Sequence, residues 1–469
     1  MTHWQRLSPW GVFFFLVIQL GAWARAVPAV FAAGVYGGGA NWSRVTLAVL
    51  ILAPLAMMGS ALVSWWRFFY LVKPGRLEIR QGLLFTKHLE IPAQRVQNIE
   101  ISQPFYYRPL GLYNLTIETA GASGQEAKLA ALTEQQADAI KATLLGEAPA
   151  QAPSLDTPPL LTRSTGDLLI YGFCHNHLTW LLVLLAPFYD NLGKWLGNLL
   201  SAEELHLGWR LYLLGFVMLA LILTVLSMAA AWLIYAPYRL EQQDQRLVQS
   251  GGIITHRQLA MKRRRLQWLV ASQSLLDRIF GRWVLTFYPV KDGKAGKDPG
   301  KSQKLLAPAL RPGELAPLLA LGGAKALPQA PYSRPSPFYL RRLLVWSTLP
   351  LLAATLSLWH QFGALAGLLW PLAWAAITMH WLGCGWQVNG NRLWVRRGLV
   401  NVRQYLLKPA KVQRVTLSQS PGQRRRHLAS LSISTGAGNL NLPWLALDEA
   451  CYLRDWLLAE AQQQADDWL

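Results

Sequence analysis

Long apolar runs alternate with polar segments along this chain. A helix that crosses a bilayer needs about 20 mostly apolar residues. Gly11–Ala33, Val45–Trp66, Leu168–Tyr189 and Leu211–Ala236 reach that length. Leu343–Asn391 adds 49 residues without a charge, enough for two more spans, with a natural tight turn at His360-Gln361-Phe362-Gly363. The pattern predicts six spans in three pairs: 11–33 with 45–66, 168–189 with 211–236, and 343–359 with 364–386. Gly11–Ala33 carries Arg25 and Pro28. A cleaved signal peptide is the other reading of it, set aside because the segment pairs with the apolar run that follows.

In the polar segments the period drops to two. Leu77 and Ile79 alternate with charged neighbours, Ile99 shares a face with Ile101, and Leu115 with Ile117, as half-buried strands require. Each segment closes on a helical pattern. Thr133-Glu134 opens one that runs to Leu145, and Pro312-Gly313-Glu314 a shorter one to Leu321. Asp448-Glu449 opens the third, with Tyr452, Leu453, Trp456 and Leu457 at helical spacing.

The three polar segments are copies of one another. Shifting Arg76–Ile117 by 170 residues lays it on the second segment, and by 316 on the third, without a gap. Seven positions are identical in all three copies: Arg76/Arg246/Arg392, Leu77/Leu247/Leu393, Gly82/Gly252/Gly398, Gln97/Gln267/Gln413, Ser102/Ser272/Ser418, Gln103/Gln273/Gln419 and Arg108/Arg278/Arg424. One unit, a helix pair followed by a strand-rich domain, therefore occurs three times.

Composition sharpens this picture. The 469 residues are 52% hydrophobic and only 15% charged, with 22 Trp and a net charge of +20; soluble domains average about 25% charged. This excludes a disordered chain and argues for a multi-pass membrane protein with basic parts outside the bilayer. On one side of the six predicted spans lie Arg44, Lys194 and Arg210; with Arg25 inside a span, the other side holds 41 of the 45 Lys and Arg. The positive-inside rule then places both termini and the three polar segments in the cytoplasm. Cys174, Cys384 and Cys451 are far apart and form no CxxC, as in a reducing compartment.

The run Ile91-Pro92-Ala93-Gln94-Arg95-Val96-Gln97-Asn98-Ile99-Glu100-Ile101-Ser102-Gln103, followed by Arg108-Pro109-Leu110-Gly111-Leu112-Tyr113-Asn114-Leu115-Thr116-Ile117, carries a family likeness. Together with the paired helices, it resembles the bacterial membrane-flanked pleckstrin-homology-like domain family, in its three-unit form. The second copy departs with Lys262-Arg263-Arg264-Arg265 in place of Pro92-Ala93-Gln94-Arg95, the third with a run containing Arg424-Arg425-Arg426. The resemblance implies an α+β membrane protein: six transmembrane helices in three hairpins, each followed by a pleckstrin-homology-like β-barrel with a C-terminal helix. The expected divisions are hairpins at 1–70, 167–237 and 339–385, barrels at 71–146, 238–322 and 386–469, and linkers at 147–166 and 323–338. It also implies a bacterial inner-membrane location and a hetero-complex with a shorter, single-unit member of the family.

Candidate chemistry is sparse. Lys262, Arg263, Arg264, Arg265, Arg424, Arg425 and Arg426 are candidate contacts for anionic phospholipid head groups, each worth roughly 1 kcal/mol near a charged leaflet; solvated charge is the plainer reading. The Gln and Ser-Gln triplets read as side chains that satisfy strand-end backbone, and Gly82, Gly252 and Gly398 as turn residues of positive φ. Arg25 is the one intramembrane charge, either snorkelling to an interface or paired within the bundle. His175-Asn176-His177 puts its histidines on different sides of a helix, so no metal is expected. No Walker loop, dinucleotide fingerprint, HExxH or GxSxG occurs. The expectation is a non-enzymatic scaffold without a cofactor and without nucleic acid, whose three domains bind a membrane-protein partner, lipid head groups or peptide, in envelope maintenance or resistance to membrane-active compounds. The alternative is a transporter or lipid-translocating component.

Overall fold

The computed structural model describes residues 4–17, 19, 40–82, 86–119, 127–145, 159–175, 208–243, 246–290, 304–328 and 331–463. The first copy contributes β1 (Gln5–Arg6), β2 (Phe69–Lys73), β3 (Arg76–Gln81), β4 (Lys87–Pro92), β5 (Val96–Pro104), β6 (Leu112–Thr119) and β7 (Ala127–Thr133). The second contributes β8 (Leu161–Arg163), β9 (Tyr238–Gln243), β10 (Arg246–Gly251), β11 (Thr255–Lys262), β12 (Leu266–Gln273), β13 (Trp283–Pro289) and β14 (Leu305–Leu310). The third contributes β15 (Gly385–Val388), β16 (Leu393–Arg397), β17 (Val402–Leu407), β18 (Val412–Ser418), β19 (Leu428–Thr435) and β20 (Gly438–Ala446). A helix closes each copy: Glu134–Leu145, Pro312–Ala320 and Leu447–Gln463.

The repeat register holds at the level of single residues. β5, β12 and β18 begin at equivalent positions, Val96, Leu266 and Val412, each just after one turn of 3-10 helix at Ala93–Arg95, Arg263–Arg265 or Pro409–Lys411. The register then slips by one residue at Val96/Asn98, Leu266/Trp268 and Val412/Arg414. The residue passed over is Gln97, Gln267 or Gln413, so the identical glutamine marks a β-bulge in every copy. A second shared device precedes each closing helix: Ala131, Ala309 and Trp444 take φ of 53°, 49° and 56°. Left-handed backbone is costly away from glycine. In the first and third copies it is anchored by an N–H bond, Ala131 to Asn114 Oδ1 (3.3 Å) and Trp444 to Ser430 Oγ (3.3 Å).

The chain divides into two compact units, residues 1–158 with 254–260 and 292–297, and the remainder. In the first, β1-β2-β3-β4 form one antiparallel sheet, and β7-β6-β5 another, onto which the start of β11 pairs (Thr255 opposite Pro104, Gln258 opposite Ile101). Leu77, Ile79, Ile91, Leu115, Ile117 and Leu129 fill the space between them, and Ala137, Ile140 and Leu144 of the closing helix cover it at i, i+3, i+7. In the second unit β12 pairs with β17, which joins β14-β13-β12 to β17-β16-β15 in one six-stranded sheet. β18-β19-β20 face it across a core of Trp394-flanking Leu393 and Val395 with Leu431, Ile433, Ala450, Leu453 and Leu457.

One expectation is corrected here. The six-span, three-hairpin architecture does not hold: among the described residues two helices are long and apolar enough to cross a membrane, Val217–Tyr235 and Pro337–Trp359. The helix Ala40–Trp66 contributes only the shorter apolar stretch Leu52–Trp66. The helix Thr165–Cys174 stops at an extended His175, and buries Leu168 and Tyr171 in the protein. The 49-residue uncharged run fuses three things: the helix Pro337–Phe362, a helix of 15 residues at Leu369–Gly383, and the buried strand β15. At 1.5 Å per residue the 15-residue helix is shorter than a roughly 30 Å hydrocarbon core. A charge-free run marks burial, whether in lipid or in a sheet. Gly11–Ala33 lies mostly, and the second half of Leu168–Tyr189 wholly, outside the described residues.

Each copy also takes in chain from before its helices. β1 pairs with β2 (Gln5 opposite Tyr70), β8 with β9 (Leu161 opposite Leu240), and Ser333 bridges Trp386 in β15. In the first two copies a short strand thus precedes the helical segment, and in the third a single bridging residue does.

Candidate functional site

The identical polar residues serve the backbone where their bonds are seen. Ser272 Oγ donates to the Val284 carbonyl (3.3 Å) and Ser418 Oγ to the equivalent Ser430 carbonyl (3.4 Å). Gln273 Nε2 donates to Arg282 O (3.1 Å) and Gln419 Nε2 to Leu428 O (2.9 Å), again equivalent positions. In the first copy, Gln103, beside Ser102, bonds to the Tyr113 side chain instead. Gln267 Oε1 accepts the Gly436 N–H (3.2 Å), which ties the second copy to the β19–β20 turn of the third, while Gln413 is exposed. Gly82, Gly252 and Gly398 have φ of 112°, 111° and 83°. At Gly398 a Cβ would run into the Asn401 carbonyl. Arg278 Nη2 reaches Leu399 O (3.2 Å), and Arg108 lies close enough to His256 to help burial depress its pKa. Burial acts first on His256, Arg108 second.

A buried charge network supports the second copy. Asp167 caps the helix Thr165–Cys174 through a reciprocal box with Ser164. Arg282 Nη1 lies 2.9 Å from its carboxylate and Arg163 Nη1 3.8 Å, and Arg163, 1% exposed at the side chain, also bonds Glu314 Oε2 (2.6 Å). Burial opposes ionisation of Asp167, but the Ser164 hydroxyl and the two guanidiniums outweigh it and hold the carboxyl below its usual range. Among the described residues no three His, Cys, Asp or Glu side chains gather as metal ligands.

The surface that faces outward with a coherent chemistry lies where the apolar helix Pro337–Phe362 begins. Pro at its first position and Ser336 as cap fix the start. Arg426 stacks its guanidinium 3.7 Å above the Phe338 ring. Arg342 lies between two indoles, 5.8 Å from Trp346 and 5.6 Å from Trp444. Tyr339, Arg342, Trp346, Ser430 and Trp444 line an open groove of about 610 Å³. Trp346 is 72% exposed on the helix flank, and Arg424, Arg425 and Arg426 are all exposed. Arginines and tryptophans at the root of an apolar helix suit the interfacial layer of a membrane, where each has an apolar body and a polar end.

The other basic cluster sits elsewhere. Arg263, Arg264 and Arg265 form the 3-10 turn between β11 and β12, where Arg263 and Arg264 line a separate cavity; Lys262 is the last residue of β11. Arg25 lies outside the described residues. Sequence reasoning missed Phe338, Trp346 and Trp444, whose signal was the density of tryptophan near a helix start. It also missed Lys408 and Lys411, which the repeat register aligns with Lys262 and Arg265.

Sequence comparison finds the family described as Bacterial PH domain in three matches, residues 15–148, 184–297 and 339–461. The chain is 22% identical over 451 residues to the UPF0699 transmembrane protein YdbT of Bacillus subtilis (strain 168), which covers 88% of this chain and 89% of that protein. No solved structure matches it.

Proposed function

Since the chain belongs to the Bacterial PH domain family and carries its module three times, we propose that it is a membrane-anchored, non-enzymatic scaffold. Its basic root, at Arg341, Arg342, Arg424, Arg425 and Arg426, rests on the anionic head groups of the cytoplasmic leaflet of a bacterial inner membrane. The sheets, and both termini, then lie in the cytoplasm and present strand edges and faces to a membrane-protein partner, a shorter single-unit member of the family being the first candidate. Linked weak contacts would give it avidity at high effective concentration, and envelope maintenance is the process such a scaffold would serve. The relative's name as a transmembrane protein supports the anchoring.

The observation that carries the reading is Arg426 on Phe338, with Arg342 between Trp346 and Trp444. It fixes a basic patch to the first turns of a helix apolar enough to enter a bilayer. Five arginines near an anionic surface contribute about 5 kcal/mol, screened by salt within about a Debye length. That is enough to orient the domain, because anchoring is already provided by the helix. The test is charge reversal, Arg424→Glu with Arg425→Glu and Arg426→Glu, in protein purified in mild detergent, with co-purifying lipid quantified by mass spectrometry. Anionic lipid per protein is expected to fall several-fold; an unchanged lipid complement overturns the headgroup contact.

A further inference from the structure

The β12–β17 pairing has a consequence for charge. The strands are antiparallel with Trp268 opposite Leu407, so the start of β12 lies beside the end of β17. The 3-10 turn Arg263–Arg265 leads into the first, and Lys408 with the turn Pro409–Lys411 follows the second. Two basic turns, equivalent under the repeat, are thereby brought to one place. Between them is a cavity of about 220 Å³ lined by Arg263, Arg264, Gln267, Trp268, Lys408 and Lys411, and among the described residues no carboxylate lines it.

Three features set this cavity apart from a solvated basic face. Lys411 is buried at 6% exposure, on the floor of a wall that also carries three other cations. An anion placed there would face four cationic side chains at once. Trp268 is equally buried, and its indole N–H, a donor only, has no acceptor among the described residues; a buried donor without a partner is costly. The wall is also shaped by a glycine, for a Cβ at Gly322 would strike Leu269 Cδ1 at 2.5 Å and Leu406 Cδ2 at 2.8 Å. The corresponding turn of the first copy reads Pro92-Ala93-Gln94-Arg95, with one charge, so the charge set belongs to the junction of the second and third copies.

We propose that this seam cavity is a binding site for a phosphate group. Arg263 and Arg264 offer planar guanidinium donors, Lys408 and Lys411 ammonium donors, and Trp268 a neutral one. Its volume is below the roughly 300–1,000 Å³ of pockets for larger ligands, which fits a phosphate with a small substituent: free phosphate, a small phosphate ester, or the exposed head group of a phospholipid. Because both walls come from different copies, occupancy would clamp the second copy to the third. The site is independent of the membrane-proximal arginines.

The experiment uses the full chain in nanodiscs of phosphatidylcholine alone, titrated with inorganic phosphate and with glycerol 3-phosphate by calorimetry. A parallel arm uses mixed phosphatidylglycerol and phosphatidylcholine discs, read by lipid mass spectrometry. Variants are Arg264→Gln, Lys408→Gln and Trp268→Phe, with Arg80→Gln as the control, an exposed arginine of β3 that belongs to neither basic surface. Saturable binding of a soluble probe, weakened about tenfold by Arg264→Gln or Lys408→Gln, the weight of one charge-assisted hydrogen bond, supports the site and assigns a soluble ligand. A smaller loss is expected for Trp268→Phe, which keeps the ring and removes the N–H. No soluble binding, but anionic lipid lost in Arg264→Gln and Lys408→Gln and retained in Arg80→Gln, supports the site with a lipid source. No response in either arm, or equal losses in Arg80→Gln, overturns it. Failure of the charge-reversal test at Arg424–Arg426 leaves these outcomes unaffected.

Discussion

Single residues do two kinds of work in this chain, and the repeat register separates them. Ser272, Gln273, Ser418 and Gln419 are spent on main-chain carbonyls, and the identical glycines on left-handed turns. Arg263, Arg264 and Arg426, in contrast, reach a cavity or an aromatic ring. Asp167 shows how much a single buried charge can hold. Asp167→Asn would leave Arg163 and Arg282 without their shared anion, and the expected loss is about 3–5 kcal/mol, measured by denaturant titration in detergent. The sign with pH follows from its lowered pKa. The contribution is full above about pH 4, the ordinary carboxylate value, and is lost as pH falls through the folded value. The Asp167→Asn variant should show a flatter loss of stability through that acid range, and an unchanged profile would place the linkage elsewhere.

At the scale of elements, the strands of the sheets were legible because a half-buried strand leaves an alternating signature, and Leu77, Leu247 and Leu393 are all fully buried in it. The bulges were visible only as an invariant glutamine with no stated reason. Three things left no local trace. β1 and β8 are two and three residues long, too short for a period to show. The β15 strand hid in an uncharged run that also holds most of the membrane-length helix Pro337–Phe362. The β12–β17 pairing joins two strand edges, and edge pairing is a property of position, since any exposed edge offers the same unpaired N–H and C=O groups. That pairing predicts shared dynamics. Amide exchange by mass spectrometry should show β12, β13, β16 and β17 protected as one cooperative group. Fast exchange of β17 while β12 stays protected would mean that the two copies move apart.

For the whole molecule, charge and hydropathy identified the class, a basic protein with apolar helices, while the count of spans failed because apolarity was equated with lipid. The candidate headgroup surface was half legible: Arg424–Arg426 stood out as a run, but the aromatic partner of Arg426, Phe338, comes from a helix start 88 residues earlier, a juxtaposition only folding makes. If the basic root rests on the cytoplasmic leaflet, the closing helix Leu447–Gln463 is cytoplasmic. Tyr452, 65% exposed there, provides the check. A Tyr452→Cys variant in a background lacking Cys174, Cys384 and Cys451 should react with a membrane-impermeant maleimide only after cells are permeabilised. Labelling of intact cells would reverse the orientation.

The short opening strands impose a rule of parity. Gln5 and Tyr70, or Leu161 and Leu240, are neighbours across a sheet, where adjacent strands lie about 4.8 Å apart. Whatever lies between them must depart and come home at one doorway, so both of its ends stand on the same side of any bilayer. One topology tag on a sheet therefore reports the side for both ends of its insert.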